Sequence, residues 1–346
     1  MDGKDLLERP IFIVGPGRSG TTLLRTLLSA HSRISIAPET QYLEWVFPKH
    51  DIRRAPENFG VFWEKYISWM RFKDLGVDAT RCRELVDQQG ERTFESIFRA
   101  VLTAFGERTG KVRVGEKTPG HVHYLSVLFE WFPEARILIT QRDPRAVVAS
   151  ALKTPFSQER IKPCSLRQGV FMANRLHETV HWIDDWKMIY EKIVPSWIGD
   201  PRVLAVPYES LVKAPESTLN TICKFFGETF EPAMIDSHSR SHVPTPAGEM
   251  RVPEHELWRR EHLNKTTQPV NVGSLYKWKQ ELSQREVALI EGACWKGMQA
   301  YGYLPTRSPA AQGGGQIFKK VFDFAVHAEV RARNTYRGVS ARFRNE

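Results

Sequence analysis

The stretch Pro10-Ile-Phe-Ile-Val-Gly-Pro-Gly-Arg-Ser-Gly-Thr-Thr-Leu-Leu-Arg25 joins a strand, a glycine-rich loop and the start of a helix. The apolar run from Ile11 to Val14 predicts a buried strand, and the leucines that follow Thr21 at helical spacing predict a helix. Such a strand–loop–helix points backbone N–H groups and the positive end of the helix dipole at an anion. The stretch therefore predicts a phosphate-binding loop.

This loop departs from the version that binds ATP or GTP. That version reads G-x-x-x-x-G-K-[ST], whereas Thr21 stands at the lysine position here and Arg18 lies inside the loop. We therefore expect the loop to bind a phosphate-like group without transferring an ATP γ-phosphate through Mg²⁺. An ordinary glycine-rich turn is the alternative interpretation, and the coincidence of an arginine, two hydroxyls and two glycines at a strand–helix junction argues against it.

The composition is that of a globular protein with a basic excess. The chain has 346 residues and a formal net charge of +9, which favours anionic ligands or partners. Its four cysteines are widely spaced and form no C-x-x-C pair, which argues against a zinc ribbon or a disulfide framework and suits a reducing compartment. Neither a signal peptide nor an apolar run long enough to span a bilayer is visible, so the sequence predicts a cytoplasmic protein.

Short apolar runs alternate with helical patterns along the chain. After the first strand, further strands are predicted at Ile34–Ile36, Lys111–Glu116, Ile137–Thr140 and Val203–Val206. Strands that alternate with helices predict an α/β fold with a P-loop-type central parallel sheet flanked by helices, in a single domain with helical insertions. Helices are also expected over 166–193 and 215–226.

The C-terminal part of the chain differs in composition from the rest. Residues 1–307 are predicted to form the domain, 308–316 a glycine-rich linker, and 317–346 a basic amphipathic segment. Docking of this segment on its own domain, on the second copy in a homodimer, or on an anionic membrane surface stays open. Within the domain, Ser283 and Glu286 predict a capping box for a helix that reaches Tyr301.

A second polar cluster follows the strand predicted at Ile137–Thr140. This strand brings Arg142 and Asp143 to its carboxyl end, where ligands bind in open α/β sheets, and Ser150 follows on the next helix. The arginine fork matches a phosphate group, although Arg-Asp-x-Arg145 also fits a simple ion pair at a strand end. Two phosphate sites on one sheet predict a nucleotide that carries phosphates at both ends.

These two motifs resemble those of sulfotransferases that use 3′-phosphoadenylyl sulfate (PAPS), and within that family the likeness is to the tyrosylprotein sulfotransferases. The likeness runs from about Pro10 to Tyr303. It rests also on Glu39-Thr40, on Lys117 followed by Pro119, on Tyr208-Glu-x-Leu-Val212, and on Pro269-Val-Asn-Val-Gly-x-Leu-x-Lys277-Trp278. The resemblance implies PAPS as the co-substrate and a hydroxyl acceptor on a tyrosyl peptide, a carbohydrate or a small metabolite.

The resemblance also implies roles for individual residues. Glu39 would be the general base, while Lys117 and Arg18 would stabilise the transition state. The alternatives are a surface carboxylate at Glu39 and an ion pair between Lys117 and its neighbour Glu116 at the strand end. The cofactor-binding positions comprise the 5′-phosphosulfate loop, the 3′-phosphate pair and two residues that complete the nucleotide site. They are Arg18, Ser19, Gly20, Thr21 and Thr22; Arg142 and Ser150; and Tyr208 and Lys277.

Three positions differ from the pattern of the tyrosylprotein enzymes. Their arginine that contacts the acidic peptide is Gln41 here, the second arginine of the 3′-phosphate helix falls on Thr154, and the additional serine that precedes the Pro269 segment has no counterpart. A less acidic or non-peptide acceptor is therefore favoured. His121 and His123 are rival candidates for the base, since histidine also serves in general-base catalysis.

Neither a metal nor nucleic acid is expected as a ligand. His238 and His242 have a spacing that a metal could use, but the sequence offers no third ligand beside them. Two alternatives to a sulfotransferase stay open: a P-loop kinase or nucleotide phosphotransferase, and a non-catalytic nucleotide-binding protein. Thr21 in place of the lysine argues against the first, and the intact candidate base and cations argue against the second.

Overall fold

The computed structural model describes residues 6–47, 49–51, 55–161, 174–236 and 264–306. Five strands form one sheet in the order β2-β3-β1-β4-β5, and all neighbouring strands pair in parallel. The strands are β1 (Ile11–Val14), β2 (Ile34–Ala37), β3 (Arg113–Lys117), β4 (Arg136–Gln141) and β5 (Val203–Pro207). The predicted α/β class with a central parallel sheet is therefore confirmed.

Strand β1 lies in the middle of the sheet, and its side chains are buried on both faces. Ile13 belongs to the same apolar cluster as Leu24 of the following helix, whereas Phe12 stacks on the other face against Phe98, with 6.3 Å between the ring centroids. After β1 the chain forms β2 and β3 on one side of β1. It then crosses to the other side of β1, where β4 and β5 lie. Ligands of open α/β sheets bind at such switch points, and the loop after β1 lies at this one.

Helices connect the strands, as the alternating pattern predicted. They are α1 (Thr21–Ser29), α2 (Tyr42–Val46), α3 (Phe59–Ser68), α4 (Met70–Lys73), α5 (Ala79–Gln88), α6 (Phe94–Thr109), α7 (Leu125–Trp131), α8 (Pro144–Ala151), α9 (Pro155–Ile161), α10 (Asn174–Lys187), α11 (Tyr208–Lys213), α12 (Pro215–Phe226), α13 (Trp278–Glu281), α14 (Gln284–Ala293) and α15 (Trp295–Ala300). Short 3₁₀ helices lie at Pro119–Tyr124 and Val272–Leu275.

Two predicted element boundaries needed correction. Strand β3 begins at Arg113 rather than at Lys111. The Lys111 ammonium group donates instead to the carbonyls of Ser29, His31 and Ile34, between α1 and β2, at 2.7 to 3.1 Å. The capping box at Ser283 is confirmed, but the helix behind it ends at Ala293. Cys294, at φ −93° and ψ 7°, separates α14 from α15.

The described residues fall into two compact units. Unit 1 contains the whole sheet and takes in residues up to Arg142 together with Lys192–Leu275. Unit 2 contains the described residues between Asp143 and Glu191 and those from Tyr276 to Thr306. The prediction of one domain over residues 1–307 stays a prediction, and the predicted linker and basic segment lie outside the described residues.

None of the helices in the described part of the chain combines the length and the apolar character needed to span a membrane.

Arg145 of α8 makes several buried contacts in the interior of unit 2. Its guanidinium pairs with Asp143 and with Glu291 of α14, both at 2.7 Å, and lies 4.3 Å from the ring centre of Trp278. The Asp143–Arg145 contact is the strand-end ion pair that the sequence left open as an alternative, and it does not involve Arg142.

Candidate active site

The glycine-rich loop is held against strand β4. Gly15 has φ +137°, and a Cβ atom there would lie 2.6 Å from the Thr140 hydroxyl, so this position requires glycine. The buried Ser19 hydroxyl donates to the Pro16 carbonyl at 2.6 Å and lies 2.6 Å from the Thr140 hydroxyl. The hydroxyl of Ser19, predicted to contact the 5′-phosphosulfate, is thus engaged inside the loop and fixes its shape.

Arg18 is the charged residue of this loop, and its backbone conformation is strained. Its φ is +65°, in the left-handed region that non-glycine residues rarely occupy. Burial, and then the nearby Arg142 charge, lower the pKa of the Arg18 guanidinium to about 10, while Glu39 acts in the opposite direction. Two guanidinium groups therefore lie close together in a desolvated place, an arrangement that an anion relieves.

One side of the loop is lined by Arg142, Tyr208 and Ser274. The Arg142 guanidinium donates to the Arg18 carbonyl at 2.7 Å and to the Ser274 carbonyl at 3.4 Å. It also lies 4.2 Å from the centre of the Tyr208 ring, a cation–π distance. The Tyr208 hydroxyl is 3.0 Å from that of Ser274. Gly20 has φ +98° and packs under this ring, since a Cβ there would lie 2.8 Å from Tyr208 Cε2.

Glu39 and Lys117 meet on the other side of the loop. The Lys117 ammonium donates to a Glu39 carboxylate oxygen and lies 3.3 Å from the Thr22 hydroxyl on α1. Burial lowers the pKa of Lys117, and the Glu39 charge partly offsets that effect. Lys117 is thus paired with Glu39 rather than with its neighbour Glu116, and Glu39 is not a plain surface carboxylate.

Arg25 adds a further buried cation on α1. Its Nε donates to the Ile36 carbonyl at 2.9 Å, and burial lowers its pKa to about 10, with Glu39 again acting in the opposite direction. The sequence pattern included Arg25 without assigning it a function. Desolvated cations favour the binding of an added anion, and the Glu39 carboxylate competes with such an anion for them.

The two candidate histidines differ in their surroundings. His121 is fully buried, and its Nε2 accepts a hydrogen bond from the Leu43 N–H at 3.3 Å. That nitrogen is therefore already engaged as an acceptor and is poorly placed to take a proton from a substrate hydroxyl. His123 is exposed. The choice of Glu39 over histidine as the base stays a prediction, and this geometry favours it.

Some predicted cofactor residues lie in unit 2. Ser150 is half-buried on α8, and Lys277 is exposed at the start of α13. Thr154, which stands where the second arginine of the 3′-phosphate helix is expected, donates to the Ala151 carbonyl at 2.7 Å. No group of three or more His, Cys, Asp or Glu side chains within the described ranges is arranged to hold a metal ion. His238 and His242 lie outside those ranges.

Comparison with known proteins places this geometry in a family. Residues 10–232, more than half of the chain, match the sulfotransferase family. The chain belongs to the sulfotransferase family. Both motifs around which the site is built, the loop after β1 and the strand end at Arg142, fall within the matched residues.

Among curated proteins, the chain is similar to protein-tyrosine sulfotransferase A of Caenorhabditis elegans, with 24% identity over 90% of this chain and 72% of the relative. It is 26% identical to the protein-tyrosine sulfotransferase of Drosophila melanogaster over 78% of this chain and 46% of the relative. Among solved structures, it resembles the sulfotransferase domain from the curacin biosynthetic pathway. That likeness has a TM-score of 0.56 at 17% identity and covers 86% of this chain and 98% of that one, which supports the sulfotransferase fold.

Several residues of this sulfotransferase site were not assigned from sequence. Thr140 supports the loop and Ser274 binds both Arg142 and Tyr208, although Ser274 lies inside the quoted Pro269–Trp278 motif. Glu116 was considered only as a partner for Lys117. Its actual contacts bridge 76 residues of sequence to Thr40, so no local pattern reveals them.

Proposed function

We propose that this sulfotransferase moves the sulfuryl group of PAPS to an acceptor hydroxyl by in-line transfer, with Glu39 as the general base and no metal. The observation that carries the proposal is the pairing of Glu39 with the buried Lys117, which lies beside Thr22 at the end of the anion-binding loop. A proton acceptor and a cation beside this loop support the reaction of a sulfuryl group bound there.

The chemistry asks two things of this pair. Glu39 accepts the proton of the acceptor hydroxyl while that oxygen bonds to sulfur. As the bond from sulfur to the phosphate oxygen breaks, Lys117 and Arg18 offset the negative charge that grows on the departing phosphate oxygen. The proton ends on the Glu39 carboxylate, and the products are the sulfated acceptor and adenosine 3′,5′-bisphosphate (PAP).

Arg18 and Arg142 support the assignment of a doubly phosphorylated nucleotide. Arg142 is buried, and the pKa of Arg18 is lowered to about 10 by burial and by the Arg142 charge. A bound anion reverses that unfavourable interaction, so the pair is arranged for a phosphate-bearing ligand. We assign Arg142, with Ser150, to the 3′-phosphate, and Tyr208 and Lys277 to the rest of the nucleotide.

The acceptor is proposed to be a less acidic or non-peptide hydroxyl compound. Gln41 contributes no charge, and its side-chain oxygen accepts from Arg71 Nε at 3.0 Å. Arg71 is itself paired with Asp74 at 3.5 Å, so its charge is offset locally. Lys49 lies 5.4 Å from the ring centre of Trp45. Arg53 and Arg54 are further basic residues that an acidic peptide would contact, and they lie outside the described residues.

The deciding experiment incubates the purified protein with isotopically labelled PAPS and a panel of acceptors. The panel holds tyrosine peptides of graded acidity, simple phenols and sugars, and mass spectrometry detects the added sulfate. We expect turnover with phenols or sugars. Turnover of the tyrosine peptides should not rise as the peptides become more acidic. Salt-sensitive turnover that increases with acidity would overturn the acceptor proposal. Tighter binding of ATP with Mg²⁺ than of PAP would overturn the nucleotide proposal and favour a kinase.

A cytoplasmic location is also part of the proposal. Among the described cysteines, Cys82, Cys223 and Cys294 are free thiols, as expected for a reducing compartment. Fractionation of producer cells with an antibody to the native chain tests this, and recovery in a membrane fraction that salt washing does not release would contradict it.

A further inference from the structure

A buried hydrogen-bond network lies directly behind the proposed base. Glu116, on β3 just before Lys117, is fully buried. One of its carboxylate oxygens accepts from the Thr40 N–H at 3.0 Å, from the Thr40 hydroxyl at 3.0 Å, and from the Thr118 hydroxyl. The other oxygen lies 3.2 Å from His121 Nδ1. The carboxylate therefore contacts the residue that follows Glu39.

The same network satisfies four successive backbone N–H groups after Glu39. The Thr40 N–H binds Glu116, and the Gln41 N–H binds the Thr118 hydroxyl at 3.1 Å. The Tyr42 N–H binds the Thr40 hydroxyl at 3.3 Å, and the Leu43 N–H binds His121 Nε2 at 3.3 Å. These donors open helix α2, whose own N-cap residue, Gln41, supplies no side-chain cap. Three of these acceptors come from β3 and the turn after it and the fourth from Thr40, and together they replace the missing cap.

The backbone at this point also needs outside support. Gln41 has φ +49°, a left-handed conformation that a non-glycine residue adopts only when its surroundings hold it there. The Glu116 charge faces the N-terminal end of α2, where a negative charge is favourable. The His121 ring is held edge-on by Phe98 and Tyr124, at centroid distances of 6.2 and 6.5 Å.

Because side chains alternate along a strand, Glu116 and Lys117 point to opposite sides of β3. Lys117 contacts the Glu39 carboxylate, while Glu116 holds the peptide that follows Glu39. We propose that Glu116 and His121 are positioning residues for sulfuryl transfer, which hold the turn after Glu39 so that its carboxylate meets the acceptor hydroxyl. This inference rests on the proposed function of Glu39.

The test is a double-mutant cycle between Glu116→Ala and Glu39→Gln, with kcat, acceptor KM and PAP affinity measured for each variant. Alone, Glu116→Ala should lower kcat by about 100-fold, since small displacements of a reacting group have effects of that size. PAP affinity and KM should change by less than about 3-fold, because Glu116 contacts none of the phosphate-binding residues. In the Glu39→Gln background the same change should lower kcat by less than about 3-fold.

Two further variants keep the test decisive. Glu116→Gln retains an acceptor oxygen for the Thr40 N–H and should recover most of the lost kcat. Thr40→Val removes a hydroxyl contact, and it enters the same cycle if Glu116→Ala does not fold. The matched control is Glu228→Ala, which removes a buried carboxylate that pairs with Arg113 at the opposite end of β3. It should lower the unfolding temperature and leave kcat unchanged.

The outcomes separate this inference from the proposed function. A wild-type protein that transfers no sulfuryl group from PAPS to any acceptor overturns both. An active wild type in which Glu116→Ala lowers kcat equally in the two backgrounds overturns the positioning function alone, because the two residues then act independently. Parallel losses of PAP affinity and kcat in Glu116→Ala, without recovery in Glu116→Gln, would also overturn it.

Discussion

Replacing Gly20 with alanine tests whether the contact between the loop and Tyr208 shapes the nucleotide site. Gly20 has φ +98°, so alanine there costs about 1–2 kcal/mol in backbone strain. The new Cβ would also lie 2.8 Å from Tyr208 Cε2 and closer still to Cδ2, so the ring has to move by at least about 1 Å to reach ordinary contact. That ring carries the Arg142 guanidinium at 4.2 Å, so the cation shifts with it.

We expect Gly20→Ala to weaken PAP binding at least ~10-fold, or about 1.4 kcal/mol, and to lower sulfuryl transfer by about 100-fold. Isothermal titration calorimetry gives the affinity, and denaturant unfolding gives the stability. Gly199→Ala is the matched control, because Gly199 has φ +92° and no atom within 4 Å of the added Cβ. It should lose only the stability that backbone strain accounts for, which is less than Gly20→Ala loses, and no affinity. Unchanged PAP affinity in Gly20→Ala, with a stability loss equal to that of Gly199→Ala, would refute the reasoning.

Three further predictions use the same protein. Arg142→Ala should weaken PAP binding by about 1.5–3 kcal/mol through loss of a charge-assisted contact, and unchanged affinity in calorimetry would make Arg142 only a support of the loop. Glu39→Gln should lower kcat by about 10²- to 10⁴-fold in the PAPS assay, and near-normal turnover would pass the role of base to another residue. Burial raises the pKa of the Cys82 thiol to about 12 and that of Cys223 to about 11, and it raises that of Cys294 as well. Because thiolate is the reactive form, iodoacetamide at pH 8 should label these three only after unfolding, and peptide mapping that finds them labelled in the native protein would contradict this.

The parts of the site that sequence predicted are those coded locally. A strand, a positive-φ loop and a helix follow one another within residues 11–28, so the anion site after β1 could be placed without knowing the sheet. Sequence also placed Arg142 at the carboxyl end of its strand, where ligands bind in open α/β sheets. The structure adds that β1 and β4 are direct neighbours, with Val14 paired to Ile139.

The parts that sequence did not predict depend on contacts between distant residues. Glu116 and Thr40 are 76 residues apart, and Ser19 and Thr140 are 121 apart. For Glu116 the residue type suggested an ion-pair partner for Lys117, and the prediction that Ser19 contacts the sulfuryl donor stays a prediction. A buried polar side chain must find partners within the fold, and which partners it finds depends on strand order. Sequence predicted which residues carry the chemistry and left open which residues hold them in place.

The same charged residues affect both the stability of the free site and its affinity for PAP. Burial and the Arg142 charge lower the pKa of Arg18, burial lowers that of Lys117, and Glu39 offsets the lowering in both. Glu39 therefore has two opposed effects: it steadies these cations in the free protein, and it competes with the phosphate groups for them. Glu39→Gln removes the competition, so this variant should bind PAP at least as tightly as the wild type even though it turns over slowly. Weaker PAP binding by Glu39→Gln in calorimetry would instead show that the carboxylate orders the loop through Arg18 and Lys117, and the slow turnover would then report a misplaced nucleotide rather than a missing base.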